Sequence, residues 1–451
     1  MEEEKELYTG KMSTAVLQNV LPAMASSLLM LVYNLADTFF IGQTHNDLML
    51  AAVSLATPVY LLFMSLGTLF GVGGASVVSR ALGAGEKERA HRASSFCVWI
   101  SSAAAIAMML IVWIFMEQIL AALGASADTI DYTRTYLTIV SGGGLFLTLS
   151  FSLTNLIRAE GRPKIAMTGT IIGNILNIIL DPILILMLGW GIRGAAIATL
   201  VGNAVGAVYY VTYVLSGKFS LSANIRNVRF GGGIARDVLA IGFPSALGSI
   251  IMSFSQILAN GMIAAYGDMP LAAYGVAAKV RMCYNTIGGG VGQGVQPMLA
   301  YYFGAKNRKR FKPCLYFALK FALVLFAVTT ILCFVFARPI VQIFLTDQSA
   351  LDYAVLFTRM MLVTQWAIGV YDVYMASLQA TGEATKAFIA AITGQGIVYI
   401  PALFVFGALL GLNGLVLAQP FSEAVGVVMM MILSGMAVRK FYAGWNEKES
   451  V

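Results

Sequence analysis

Apolar runs of roughly 25 residues recur along the whole chain between short polar connections, each long enough to cross about 30 Å of hydrocarbon at 1.5 Å per residue. Strict apolar/polar alternation is absent, so the pattern predicts helices rather than a barrel. Twelve spans are predicted, at approximately 14–41, 48–79, 90–116, 128–158, 164–188, 193–215, 235–265, 270–303, 312–337, 350–380, 386–410 and 413–437. The longest polar connection, 216–233, divides them six and six.

The halves then match at an offset of about 221 residues. Leu21-Pro22 answers Phe243-Pro244, Gly83-Ala84 answers Gly304-Ala305, Asp131-Tyr132 answers Asp352-Tyr353, Gly161 answers Gly382, and Pro182 answers Pro401. The ladder Gly194, Ala198, Gly202, Gly206 answers Gly414, Ala418, Ser422, Gly426, and small residues at every fourth position let helices approach closely in lipid. An even number of spans separates the matches, so both halves enter the membrane in the same sense. The expected fold is all-α: a polytopic membrane protein of two pseudo-symmetric, parallel six-helix bundles. These are an N-terminal lobe at 1–215 and a C-terminal lobe at 234–451, joined by a linker at 216–233, with a central cleft as the expected pathway.

Composition narrows the class. Of 451 residues, 59% are hydrophobic and 11% charged, and the mean hydropathy is +0.79, far from a soluble domain. The net charge of +7 does not point to nucleic acid, because the basic residues gather in alternate loops. Arg80, Lys87, Arg89 and Arg92 occupy one, Arg158, Arg162 and Lys164 the next, then Lys218, Arg226, Arg229 and Arg236, then Lys306, Arg308, Lys309, Arg310 and Lys312. Intervening loops hold Glu117, Asp128, Asp268 and Asp347. The positive-inside rule makes the basic loops and both termini cytoplasmic. The acidic segment 1–10 has no basic n-region, so no cleavable signal peptide is expected. Cys97, Cys283, Cys314 and Cys333 read as small hydrophobes rather than a disulfide frame.

Candidate chemistry centres on Asp181. An unpaired charge at this depth costs roughly 2.5–3.5 kcal/mol on insertion scales, so a buried acid calls for a use. Asn174, Asn177 and Asp181 share one helical face, and Pro182, lacking an N–H, frees the carbonyl of Ile178. Asp37 on span one and Thr199 on span six fall at a similar depth, so the three helices could converge. Tyr33, Asn34 and Thr38 flank Asp37, and Asn203 follows Thr199 by one turn. The structural alternative is a hydrogen-bond network steadying a proline-kinked helix.

The second half does not repeat this set, since Ala259 stands opposite Asp37 and Val398 or Ile400 opposite Asp181. Its own buried polar groups include Gln293, and of the others Gln256, Asn260, Gln296, Asp372 and Glu423 are candidates for the substrate cleft, supplemented by a methionine-rich wall. Lys279 and Arg281 are expected to line water or snorkel. The runs Gly71-Val72-Gly73-Gly74 and 288–294 lack the lysine of a nucleotide loop and read as packing devices. No metalloprotease or serine-hydrolase motif occurs, so neither an enzyme nor a cofactor is expected. Secondary transport remains.

These residues resemble a known family. Asp37 in span one, Asn177-x-x-x-Asp181-Pro182 in span five, Thr199 in span six, Asn155-x-x-Arg158-Ala159-x-Gly161 closing span four and Gln296-Pro297 with Phe303-Gly304-Ala305-Lys306-Asn307 closing span eight are similar to the multidrug and toxic compound extrusion (MATE) family, in its DinF-like branch. The resemblance implies an antiporter that exports amphipathic, mostly cationic organic compounds in exchange for Na⁺ or H⁺. It also implies that Asp37, Asn177, Asp181 and Thr199 form the cation site. The acid found on span seven in other branches is missing here, with Gln256 and Asn260 nearest, so the coupling ion is not carried over from those branches. A multi-pass monomer in the cytoplasmic membrane, meeting lipids and small organic cations, is the expectation. A lipid-linked oligosaccharide flippase and a dedicated metabolite exporter are the rival readings.

Overall fold

The computed structural model describes residues 11–217, 220–228, 232–344 and 348–446, and all regular structure among them is helical. Lys218, Arg229, Asp347 and segment 1–10, used above to orient the chain, lie outside the described residues.

The first half contributes α1 (Met12–Gly42), α2 (Asp47–Gly83), α3 (Lys87–Ile114), a bent α4 (Ile130–Gly142 with Gly144–Ala159), α5 (Pro163–Met187) and α6 (Gly191–Leu215). The second contributes α7 (Ile234–Ala264), α8 (Asp268–Gly304), α9 (Arg308–Val335), α10 (Ala350–Ala380), α11 (384–410) and α12 (412–446). Nine stretches among the described residues are long and apolar enough to cross a membrane, and the α4 pair, bent by 49°, makes ten. Two more follow from composition and backbone. The 37-residue α8 is long enough, but Lys279, Arg281 and Asn285 lower its hydropathy. The 56-residue stretch Ala384–Arg439 is one of the nine yet would run about 84 Å as a single helix. Gly411, at φ 59° and ψ −137°, breaks it into α11 and α12.

Local chemistry sets the helix ends. Asn46 accepts the Leu48 N–H at 3.1 Å to cap α2, and Asn307 accepts the Arg310 N–H at 3.2 Å to cap α9. Gly161 and Gly382, matched by the internal repeat, both turn the chain at positive φ, 85° and 76°.

Two compact units emerge, one of Ala25–Ala246 and one of Met1–Met24 with Leu247–Val451. In the first, α2 and α4 approach so closely that a Cβ on Gly67 would stand 2.6 Å from that of Phe151. The start of α7 packs into it, with the Val238 carbonyl against Gly73. The 216–233 connection is fastened to the same unit. Glu160 accepts from the Tyr213 hydroxyl at 2.8 Å, from Leu221 N at 3.1 Å and from Ser220 N, while Ser95 donates to the Ser222 carbonyl at 2.9 Å. In the second unit the start of α1 lies against α8, where a Cβ on Gly294 would meet Val20 Cα at 2.6 Å. Gly73 and Gly294 are repeat-related, so the glycine runs serve packing. Ile114, Leu215, Ile331 and Leu409 stay exposed, as lipid-facing side chains do.

Candidate functional site

The first unit holds a polar cluster built from α1, α2, α4, α5 and α6. Glycine sets its geometry. Gly173 of α5 and Gly202 of α6 face each other, a Cβ on either falling 2.7–2.8 Å from the other's carbonyl oxygen, and Gly194 sits against Leu184 in the same way. Side chains on these faces are thereby brought together, with Asn177 and Asp181 on α5 and Thr199 on α6. Just past Asp181 the helix widens into a π-turn over Pro182–Met187, the Leu188 N–H reaching Ile183 O at 2.9 Å. Proline supplies no N–H, so the ladder shifts register here, a device common at functional sites.

Asp181 is 0% exposed and Asn177 2%. Both Asp181 oxygens, both Asn177 polar atoms, Asn174 Nδ2 and Asp37 Oδ1 are buried with no hydrogen-bond partner in the protein. These six atoms are drawn from fifteen such atoms among the described residues, so unmet bonding capacity concentrates at this one place. Asp37 lies within Coulombic reach of Asp181. Tyr136 of α4 stands near Thr199 and within electrostatic reach of both carboxylates. Tyr60 of α2 shares a 2.9 Å hydrogen bond with Tyr33, and both feel Asp37.

Three neighbouring polar residues are spent locally. Asn34 donates to Met30 O at 2.8 Å, Thr38 to Asn34 O at 2.9 Å, and Asn203 to Thr199 O at 2.9 Å. Asp37 thus lies within electrostatic reach of Asp181, with Asn177 and Thr199 on the closely packed α5 and α6, whereas Asn34 and Asn203 brace their own helices. Tyr60 and Tyr136 escaped the sequence reading. The only signal was a phenol in an apolar span, which needs a partner when buried. Among the described residues no group of three or more His, Cys, Asp or Glu is arranged to hold a metal ion. The donor set is a carboxylate pair with amide, hydroxyl and phenol groups, hard oxygens suited to a proton or a small monovalent cation.

The two halves are recognised separately as well as together. A family model described as MatE matches residues 22–183 and again residues 244–405. The chain belongs to the MatE family. Among its relatives, multidrug export protein MepA of Staphylococcus haemolyticus is 33% identical over 435 residues, 96% of both chains. A MepA of Staphylococcus aureus is 32% identical with the same coverage. An outward-facing multidrug resistance MATE transporter of the MOP superfamily superposes with a TM-score of 0.92, over 97% of this chain and 98% of that one, at 22% identity. A MATE in its straight conformation gives 0.93, over 98% and 99%. At that identity the shared property is the twelve-helix fold.

In the second unit of this MatE-family chain the polar residues form a different kind of cluster. Glu423 of α12 pairs with Arg281 of α8 at 3.3 Å, the side chains 7% and 8% exposed. Its Oε1 also accepts from Gln419 at 3.1 Å, and its Oε2 accepts from Thr364 at 2.6 Å and Gln365 at 2.7 Å. The latter two are presented where α10 breaks into a short 3-10 turn, Gln365–Ala367. Arg281 also donates to Gln256 Oε1 at 3.3 Å, and Gln256 donates to Asn260 and to Tyr274, both at 3.2 Å. Arg281 therefore does not snorkel, contrary to expectation, because a buried carboxylate offers it a better partner. Lys279 does stay exposed, 5.7 Å above the Phe344 ring. Asp372 lies seven residues beyond Gln365, about 10 Å along α10, with its carboxylate against Gly288. Gln296 is buried on α8.

Proposed function

We propose that the chain exports amphipathic, mostly cationic organic compounds across the cytoplasmic membrane, exchanging them for an inward-moving Na⁺ or H⁺ held between Asp37 and Asp181. It is a multi-pass multidrug-efflux transporter, and the reading of its substrates follows the named activity of the MepA relatives. The observation that carries the ion assignment is the pair of unpartnered, buried Asp181 oxygens within electrostatic reach of Asp37.

Two like charges a few ångströms apart repel by about 3–4 kcal/mol at an effective dielectric of 20, and a shared cation removes that cost. Asn177 and Thr199 supply neutral oxygens, and Tyr136 holds Thr199 in place. Loop charge puts the Arg80–Arg92 end and both termini on the cytoplasmic side. No cofactor takes part, and lipids and the organic cargo are the only partners the reading needs. A flippase for lipid-linked oligosaccharides would want free cations for a pyrophosphate, and Arg281 is already committed to Glu423.

Reconstituted vesicles loaded with a cationic dye and given Na⁺ and H⁺ gradients separately test the reading. One gradient should drive efflux, and Asp181→Asn should abolish the gradient-driven part. Full efflux by Asp181→Asn would refute the ion assignment.

A further inference from the structure

A carboxylate buried among apolar helices must be neutralised by a proton, a bound ion or a side-chain cation. Among the described residues no ion pair involves Asp37 or Asp181, and the groups shown to bear on them are Asp37 on Asp181 and the phenols Tyr33, Tyr60 and Tyr136. In the second unit the groups facing Glu423 are Arg281, Gln419, Thr364, Gln365 and Tyr399, and only Arg281 is charged.

The guanidinium touches one carboxylate oxygen, Oε1, rather than gripping both in the fork geometry arginine prefers. Around it stand oxygens that would suit a small cation equally well. Gln256 Oε1 accepts from Arg281 now. Gln365 is 0% exposed and its Oε1 has no partner. Glu423 Oε1 and Gln256 Oε1 form an oxygen pair in which a tethered cation stands in the place of a free one, and Gln365, bonded through its Nε2 to the other carboxylate oxygen, carries a spare acceptor.

We infer that Arg281 is a resident cation that closes the Glu423 site to solution cations, and so keeps that site out of the exchange. Removing the guanidinium would convert Glu423 into a second site for a monovalent cation, H⁺ or Na⁺. Arg281 acts through Glu423 and is a positioning residue that fixes the number of ions carried. This consequence for transport rests on the exchange proposed above. The binding event itself does not.

The test counts cations on the full-length protein in lipid nanodiscs, by equilibrium binding of radioactive sodium and by infrared detection of a protonated carboxylic acid. Arg281→Gln should gain about one equivalent over the unaltered protein, either as bound Na⁺ or as a carboxylic-acid band. The two readouts separate the two ions. The gain should vanish in Arg281→Gln/Glu423→Gln, and Arg281→Lys, which keeps the charge, should show none. In vesicles, the limiting substrate ratio of Arg281→Gln should rise from the first towards the second power of the imposed gradient.

Each arm is repeated in an Asp181→Asn background. If the first-unit site is misassigned, Asp181→Asn leaves the starting count unchanged while the Arg281→Gln gain persists. If the inference about Arg281 is wrong, Asp181→Asn lowers the count and Arg281→Gln adds nothing. Should Arg281→Gln fail to fold, Glu423→Gln alone decides. The inference requires an unchanged cation count in that variant, and a fall of one equivalent overturns it.

Discussion

Asp181 and Glu423 are both acids buried in helical bundles of one repeated design, yet their surroundings are opposites. Around Asp181 the protein leaves both carboxylate oxygens without a donor and sets a second acid within electrostatic reach. Around Glu423 it supplies three neutral donors and a countercharge. A chain selected only for stability would satisfy both, because an unpaired buried charge is among the more expensive defects a fold can carry. The difference is that the fold leaves the bonding capacity of Asp181 open, as the proposed cation exchange requires, while Arg281 balances the charge of Glu423.

The largest effect expected from this comparison is on transport. Asp181→Asn should lower gradient-driven dye efflux by on the order of tenfold or more in vesicles, because the coupling cation loses its carboxylate. The same variant should leave thermal stability in detergent unchanged or higher, since it removes a charge the fold does not pair. A large fall in stability would mean that Asp181 is a structural element of α5, and the contrast between the units would disappear.

Glu423→Gln should behave in the opposite way. It strands the Arg281 guanidinium in a site where both side chains are under a tenth exposed, and breaking a buried pair by removing one partner typically costs about 3–5 kcal/mol. Thermal denaturation should show that loss, and Arg281→Gln/Glu423→Gln should recover most of it. A Glu423→Gln variant as stable as the parent would put its carboxylate in the same class as Asp181.

The comparison also depends on how closely α5 approaches α6. A side chain at Gly173 meets the Gly202 carbonyl, its Cβ only 2.8 Å away, and must push the helices apart. Overpacking of this kind costs about 1–3 kcal/mol. Gly173→Val should therefore weaken coupling-ion activation of efflux by separating Asn177 from Thr199, with a smaller fall in thermal stability than Glu423→Gln produces. Unchanged ion activation would show that the site does not need the glycine contact.

That Asp181 and Asn177 would be buried on one face of α5 was legible in the sequence, since acids and amides in apolar runs are few and helical spacing gives their face. The repeat was legible too, because matched residues such as Gly161 and Gly382 answer to a backbone conformation that only glycine adopts without strain. What spacing does not carry is pairing between distant segments. Arg281 and Glu423 are 142 residues apart, and nothing local to either says that the other will meet it. Hydropathy likewise leaves open that the first turns of α1 pack on α8, as Val20 does on Gly294. Tyr60 and Tyr136 were hidden by abundance, as two of 19 tyrosines in spans where an aromatic ring usually means core.

Tyr136 provides the smallest and sharpest test of the first-unit site. Its hydroxyl stands near Thr199 and within electrostatic reach of both acids, and on the proposed reading it either serves as a ligand for the cation or holds Thr199 as one. Tyr136→Phe keeps the ring and deletes one hydrogen bond, worth about 1 kcal/mol net, which corresponds to roughly fivefold in affinity. A shift of that size in the ion concentration that half-activates efflux is expected if the phenol only orients Thr199. A loss approaching that of Asp181→Asn would make the phenol a ligand in its own right, and the carboxylate pair would become a cage to which α4 contributes directly. No shift at all would place Tyr136 outside the ion's surroundings and confine the site to α1, α5 and α6.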